Sequence, residues 1–101
     1  MKWQKSEGKD SRVVMEAGWK PIKDYKTLEQ RGGVYIFADD SEDVKYVGYA
    51  SIPRMVAEIG NSISEEKGRY ATQVRVLYTD SDSNTISLSK DLRIKYSPVH
   101  N

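Results

Sequence analysis

The sequence predicts an α/β domain with a small, mostly antiparallel three-stranded sheet flanked by helices. Three observations carry this reading. Val34-Tyr35-Ile36-Phe37 and Val44-Lys45-Tyr46-Val47 are β-branched and aromatic runs joined across Asp39-Asp40-Ser41-Glu42-Asp43, the pattern of an antiparallel hairpin. Thr72 to Tyr78 alternates well enough for a third strand. Met55, Val56 and Ile59, and later Leu88, Leu92 and Lys95, recur at helical spacing. The order strand, strand, helix, strand, helix gives a layered α/β arrangement.

Residues 1–12 are polar and charged, with Gly8 and little apolar pattern, and are expected to form a flexible arm before a single domain over 13–101. Arg12 to Met15 reads as a short strand. Gly18-Trp19-Lys20-Pro21-Ile22 reads as a turn into the domain, with Trp19 in the core, and Tyr25 to Gln30 as a helical turn before Gly32-Gly33. After the hairpin, Ser51 offers a helix N-cap, Pro53 suits the first turn with Arg54 beside it, and Gly60-Asn61 ends the helix. Ile63 to Gly68 either prolongs that helix or loops out. Asp80 to Thr85 has turn chemistry. Asn84 or Thr85 caps a last helix through Tyr96, Ile86 and Ile94 broaden its apolar face, and Pro98 stops it.

With 101 residues, folding buries roughly 65% of the surface the extended chain exposes, enough for one modest core. An apolar fraction of 38% with seven Tyr and two Trp supplies that core, and 31% charged residues argue for a well-solvated surface. No apolar run approaches the ~20 residues of a membrane span, and the start lacks the apolar stretch of a secretory signal, so a cytoplasmic, intracellular location without membrane association is expected. Without cysteine there is neither disulfide nor thiolate metal site, and His100 alone builds no histidine centre, so any metal requires oxygen ligands. The formal charge of +1 does not by itself mark a nucleic-acid binder. Residues 1–31 carry eight Lys/Arg against five Asp/Glu, whereas 32–50 carry Lys45 against Asp39, Asp40, Glu42 and Asp43, an acidic cluster that suits a solvated hairpin tip.

Gly33-Val34-Tyr35 is followed after ten residues by Tyr46-Val47-Gly48. Upstream lies Trp19-Lys20-Pro21-Ile22; at the far end, Leu88-Ser89-Lys90-Asp91-Leu92 leads to Pro98-Val99-His100-Asn101. Together these resemble the GIY-YIG nuclease superfamily over residues 19–101, including its closing pattern Leu-Glu-x-x-Leu-Ile and Pro-x-x-Asn. The resemblance implies a metal-dependent DNA endonuclease using Mg²⁺ or Mn²⁺. It gives Tyr35 the role of base, places Tyr46 beside it on the paired strand, and makes Arg54 the helix arginine that grips phosphate. Arg54 stands about two residues nearer the glycine than the family usually places it.

Ser89 stands where the family has its metal-binding glutamate, and a hydroxyl is a poor sole protein ligand for Mg²⁺. Asp91 lies about 200° around a helix from position 89 and does not replace it, leaving Glu58, Glu65 and Glu66 on distant segments as other carboxylates. Arg93 replaces the family's apolar residue after Leu92, suiting either an exposed face or an added basic contact. His100 reads as a surface residue, and Asn101 as a tie for the chain end. Gly32-Gly33 lacks the Lys-Ser/Thr of a phosphate loop. Two kinds of function stay open: an endonuclease-like domain acting on DNA, or a catalytically degenerate module of the same fold that binds DNA, a protein partner or a second copy of itself.

Overall fold

Strict alternation along one strand organises the molecule. In the computed structural model, which describes residues 1–101, β2 (Gly33–Ala38) is buried along its whole length. Successive strand side chains point to opposite faces. Val34 and Ile36 therefore meet Leu88, Leu92 and Tyr96 of α2 (Asp82–Tyr96), while Tyr35 and Phe37 meet Met55 and Ile59 of α1 (Met55–Ser64). Two apolar clusters result, one on each side of the sheet.

The sheet has four strands, not the expected three, in the order β1-β4-β2-β3, and every pairing is antiparallel. The hairpin of β2 and β3 (Val44–Ala50) is as expected, with Gly33 opposite Ala50 and Phe37 opposite Tyr46. The third expected strand is β4 (Gln73–Tyr78), which pairs with the other side of β2. The additional strand is β1 (Met15–Pro21), formed where the sequence reads as a short strand followed by a turn. It is an edge strand with an irregularity between Ala17 and Lys20, so its apolar residues lose the period of two that marks a strand. Pro21 sits at its end, where an edge strand tolerates a residue without an N–H. Trp19 is half-buried against the α2-side cluster, and its Nε1 donates to Glu42 Oε1 at 2.7 Å.

Residues 1–12, expected as a flexible arm, are instead packed onto the domain. Trp3 is 6% exposed, stacks on Tyr96 at 5.4 Å between ring centroids and meets Trp19 edge-on at 6.2 Å. Its backbone N–H donates to the Glu42 carbonyl at 2.9 Å, and a 3₁₀ turn over Lys5–Lys9 brings Glu7 to Lys95 and to the Tyr96 hydroxyl. One large aromatic in a polar stretch is enough to anchor it.

Helix boundaries shift for identifiable reasons. The helical turn expected at Tyr25 to Gln30 is a 3₁₀ turn over Ile22–Thr27. Helix α1 starts after Arg54 with no side-chain cap, so neither Ser51 nor Pro53 lies in it. It continues past Gly60-Asn61 because Met55, Ile59 and Ser62 are buried along one face and Gly60 faces the Tyr25 ring. Helix α2 is capped by Ser81, whose hydroxyl accepts from the Asn84 N–H at 3.1 Å, three residues before the expected cap. It ends at Ser97 in the left-handed conformation, ahead of Pro98. Its buried face is Thr85, Leu88, Ser89, Leu92 and Tyr96; Ile86 and Ile94 are 53% and 69% exposed and do not broaden it. No helix is long and apolar enough to cross a membrane.

Candidate active site

Steric contacts require glycine at both motif positions. A Cβ on Gly33 would lie 2.3 Å from the Leu77 carbonyl oxygen and 2.9 Å from Tyr78 Cα, backbone atoms of β4 that cannot yield. One on Gly48 would lie 2.3 Å from Tyr35 Cζ. Gly33 thus allows β4 to pair closely with β2, and Gly48 lets the Tyr35 ring lie across β3. Gly48→Ala is expected to push this ring out of place at a cost of about 1–3 kcal/mol. Thermal unfolding together with the near-ultraviolet tyrosine signal measures it; an unchanged signal would mean that the ring does not need the gap.

Tyr35 points its hydroxyl toward α1. It hydrogen-bonds Ser62 Oγ and donates to the Glu58 carbonyl at 3.3 Å. Burial is the main cause that raises its pKa far above the ordinary phenol range, the Ser62 hydrogen bond opposes this, and the Tyr46 phenol and the Glu58 carboxylate add to the rise. The hydroxyl is therefore protonated at neutral pH. The Tyr46 ring centroid lies 6.1 Å from that of Tyr35, and the Lys67 ammonium lies 5.9 Å from the Tyr46 centroid.

These tyrosines open on a polar cavity of about 330 Å³ lined by Tyr35, Tyr46, Tyr49, Ser51, Glu58, Asn61, Ser62, Glu65 and Arg93. Glu58 and Glu65, expected on distant segments, thus share a groove with the tyrosine pair. Arg54 stays outside the lining; its guanidinium is largely exposed and pairs with Glu58 Oε1 at 3.1 Å, so it acts on the groove through that carboxylate. Asp91 is far off, paired with Arg12 at 2.9 Å, and Glu66 lines a separate cavity with Ile22, Lys23 and Tyr25.

Ser62 and Asn61 escaped the sequence reading, although for Asn61 a signal was there. Arg54, Glu58, Asn61 and Glu65 follow one another at intervals of three and four, a polar stripe along one face of α1. Arg93 takes the second of the two readings open to it, as a basic residue in the groove.

The C-terminal residues cover the free edge of β3. Strand β3 is an edge strand, and the Asn101 side chain accepts from the Val47 N–H at 2.8 Å and donates to the Val47 carbonyl at 2.9 Å. The His100 N–H donates to the Lys45 carbonyl at 3.0 Å, and Pro98 is buried. This tail satisfies edge groups that would otherwise be open to another strand. Asn101 is the tie that its position suggested.

Solved structures share this arrangement of strands and helices. The N-terminal endonuclease domain of UvrC from Thermotoga maritima, bound to magnesium as its catalytic divalent cation, superposes with a TM-score of 0.67 over 78% of this chain and 92% of that one, at 21% identity. Two point mutants of the same domain give the same TM-score at 20% identity, over 78% of this chain and 91% of theirs. That domain is a GIY-YIG endonuclease domain. The present chain has the GIY-YIG fold. No protein-family model and no curated protein matches the sequence.

The GIY-YIG resemblance implies a divalent cation, and Ser89, which that resemblance sets at the metal-binding glutamate, does not fit one. Ser89 is 2% exposed, lies outside the cavity lining and donates its hydroxyl to the Ile86 carbonyl at 2.9 Å. Its oxygen is spent on its own helix. No group of three His, Asp or Glu side chains converges elsewhere in a way that could hold a metal ion.

Proposed function

We propose that this domain binds DNA, seating a phosphodiester in the groove of Tyr35 and Tyr46, and that it lacks the metal-dependent cleavage of the nucleases whose fold it shares. One observation carries the reading: Tyr35 and Tyr46 meet in a single polar groove, while Ser89, which the sequence resemblance sets at the family's glutamate, is buried outside it. Removing a metal's charge stabilisation of several kcal/mol slows a reaction by ~10³-fold or more. The Tyr35 phenol, protonated and already bonded to Ser62 and Glu58, is a poor acceptor for a proton from water.

The test pairs binding with cleavage. Affinity for a labelled duplex in EDTA is expected to fall steadily with rising salt, the mark of phosphate contacts. Supercoiled plasmid in Mg²⁺ or Mn²⁺ is expected to be nicked no faster than by Tyr35→Phe. Nicking that Tyr35→Phe abolishes would instead establish an active nuclease, and absence of binding at low salt would point to a protein partner.

The second reading, a working nuclease with another carboxylate in place of the missing one, is favoured by Glu58 lining the groove. It requires that Glu58→Gln abolish any Mg²⁺-dependent nicking.

A further inference from the structure

The groove contains a cation of its own. Arg93 stands one helical turn beyond Ser89 on α2, so the two positions are neighbours on one helix face. Its Nε donates to the Val47 carbonyl at 3.1 Å, and the guanidinium carbon lies 5.5 Å from the Tyr49 ring centroid. The side chain is thereby held from two sides. Its two terminal nitrogens donate to no protein atom, and none of the molecule's ion pairs includes it. A half-buried guanidinium with free N–H groups, fixed in a polar groove, is built to receive an oxyanion through charge-assisted, two-pronged hydrogen bonds.

The acidic residues of the groove do not fill that place. Glu58 is engaged by Arg54, and Glu65 is exposed at the C-terminal end of α1, free to turn toward water. Lys67 adds a further positive charge beside Tyr46.

We infer that Arg93 binds the phosphodiester directly and makes binding independent of a divalent cation, its charge lying in the groove beside the position where the fold's metal carboxylate has been lost. The inference rests on the reading of the groove as a phosphodiester site and names the group that does the binding. An arginine cannot generate a hydroxide from water as a metal does, so this exchange keeps recognition and gives up hydrolysis.

Two probes separate the inference from the reading beneath it: inorganic phosphate followed by amide and guanidinium NMR shifts, and a short DNA duplex followed by fluorescence anisotropy. Both are used in EDTA and again in Mg²⁺, with the parent protein, Arg93→Gln and Arg93→Lys, and thermal unfolding reports whether each variant is folded. Both probes are expected to bind the parent in EDTA and to gain nothing from Mg²⁺, and phosphate is expected to shift Arg93 Nε–H and Val47 N–H. Arg93→Gln is expected to weaken both by roughly 10- to 100-fold, with Arg93→Lys between, from the usual strength of hydrogen bonds to charged groups.

Duplex binding at parental strength by folded Arg93→Gln overturns the inference and leaves the DNA reading standing, as does binding that requires Mg²⁺. Phosphate held by Arg93 without duplex binding upholds the anion site and overturns the DNA reading. Binding of neither probe overturns both. Should the variants fail to fold, the parent decides: phosphate-induced shifts that miss Arg93 and Val47 overturn the inference.

Discussion

Trp3→Ala is expected to destabilise the domain by about 3–5 kcal/mol, the usual range for removing a buried tryptophan. For a chain of 101 residues this lowers the melting temperature by at least ~12 °C. The expectation rests on burial and on what Trp3 covers. It closes the α2 side of the sheet over Val44, Val47 and Tyr96, and its removal would open the cluster that positions α2 and therefore Arg93. Trp3→Phe supplies the contrast. The indole Nε1 is buried without a hydrogen-bond partner, a group whose desolvation alone costs about 1–3 kcal/mol, so phenylalanine keeps much of the packing and removes that penalty. A small loss for Trp3→Phe beside a large one for Trp3→Ala, measured by thermal unfolding, is the expected result. Equal melting temperatures for the parent and Trp3→Ala would show that the first residues are not part of the fold.

What could be read in the sequence divides along physical lines. The β2–β3 hairpin was legible because both strands are rich in β-branched and aromatic residues and a run of Asp, Ser and Glu separates them. Strand β1 was not, because an irregular edge strand need bury only some of its residues, and a glycine, a tryptophan and a proline within seven positions look like a turn. The N-terminal segment was misread for a related reason: composition averages over twelve residues, whereas the packing depends on Trp3. In the groove, Tyr35 and Tyr46 are diagonal neighbours across the hairpin, the proximity that the family resemblance implied. The Ser62 hydroxyl that bonds Tyr35 carries no pattern visible in sequence, because its partner is 27 residues away on another element. Arg93 was visible as a departure from the family's pattern. Its direction into the groove depended on Val47 and Tyr49, which only the fold brings to it.

Replacing Ser89 by Glu is the obvious attempt to rebuild a metal site, and it is expected to destabilise the protein without creating one. Position 89 lies on the buried face of α2 between Leu88 and Leu92, and its hydroxyl already serves the Ile86 carbonyl. A carboxylate in that space is large, charged and cut off from water, and an uncompensated buried charge typically costs ~3–5 kcal/mol. The cation best placed to relieve it is Arg93, four residues on. Pairing would draw Arg93 away from the Val47 carbonyl and the Tyr49 ring, so Ser89→Glu is also expected to weaken phosphate and duplex binding by a factor comparable to Arg93→Gln. Melting curves with and without Mg²⁺ discriminate the alternatives, because a ligand that binds only the folded state raises its stability in proportion to the logarithm of its concentration above Kd. A low melting temperature that Mg²⁺ does not raise, with no plasmid nicking, is the expected result. A rise with Mg²⁺ accompanied by nicking would mean that position 89 opens on the groove once a carboxylate is present. Loss of the glutamate would then have been sufficient to silence an otherwise intact nuclease, and the role given to Arg93 would fall with it.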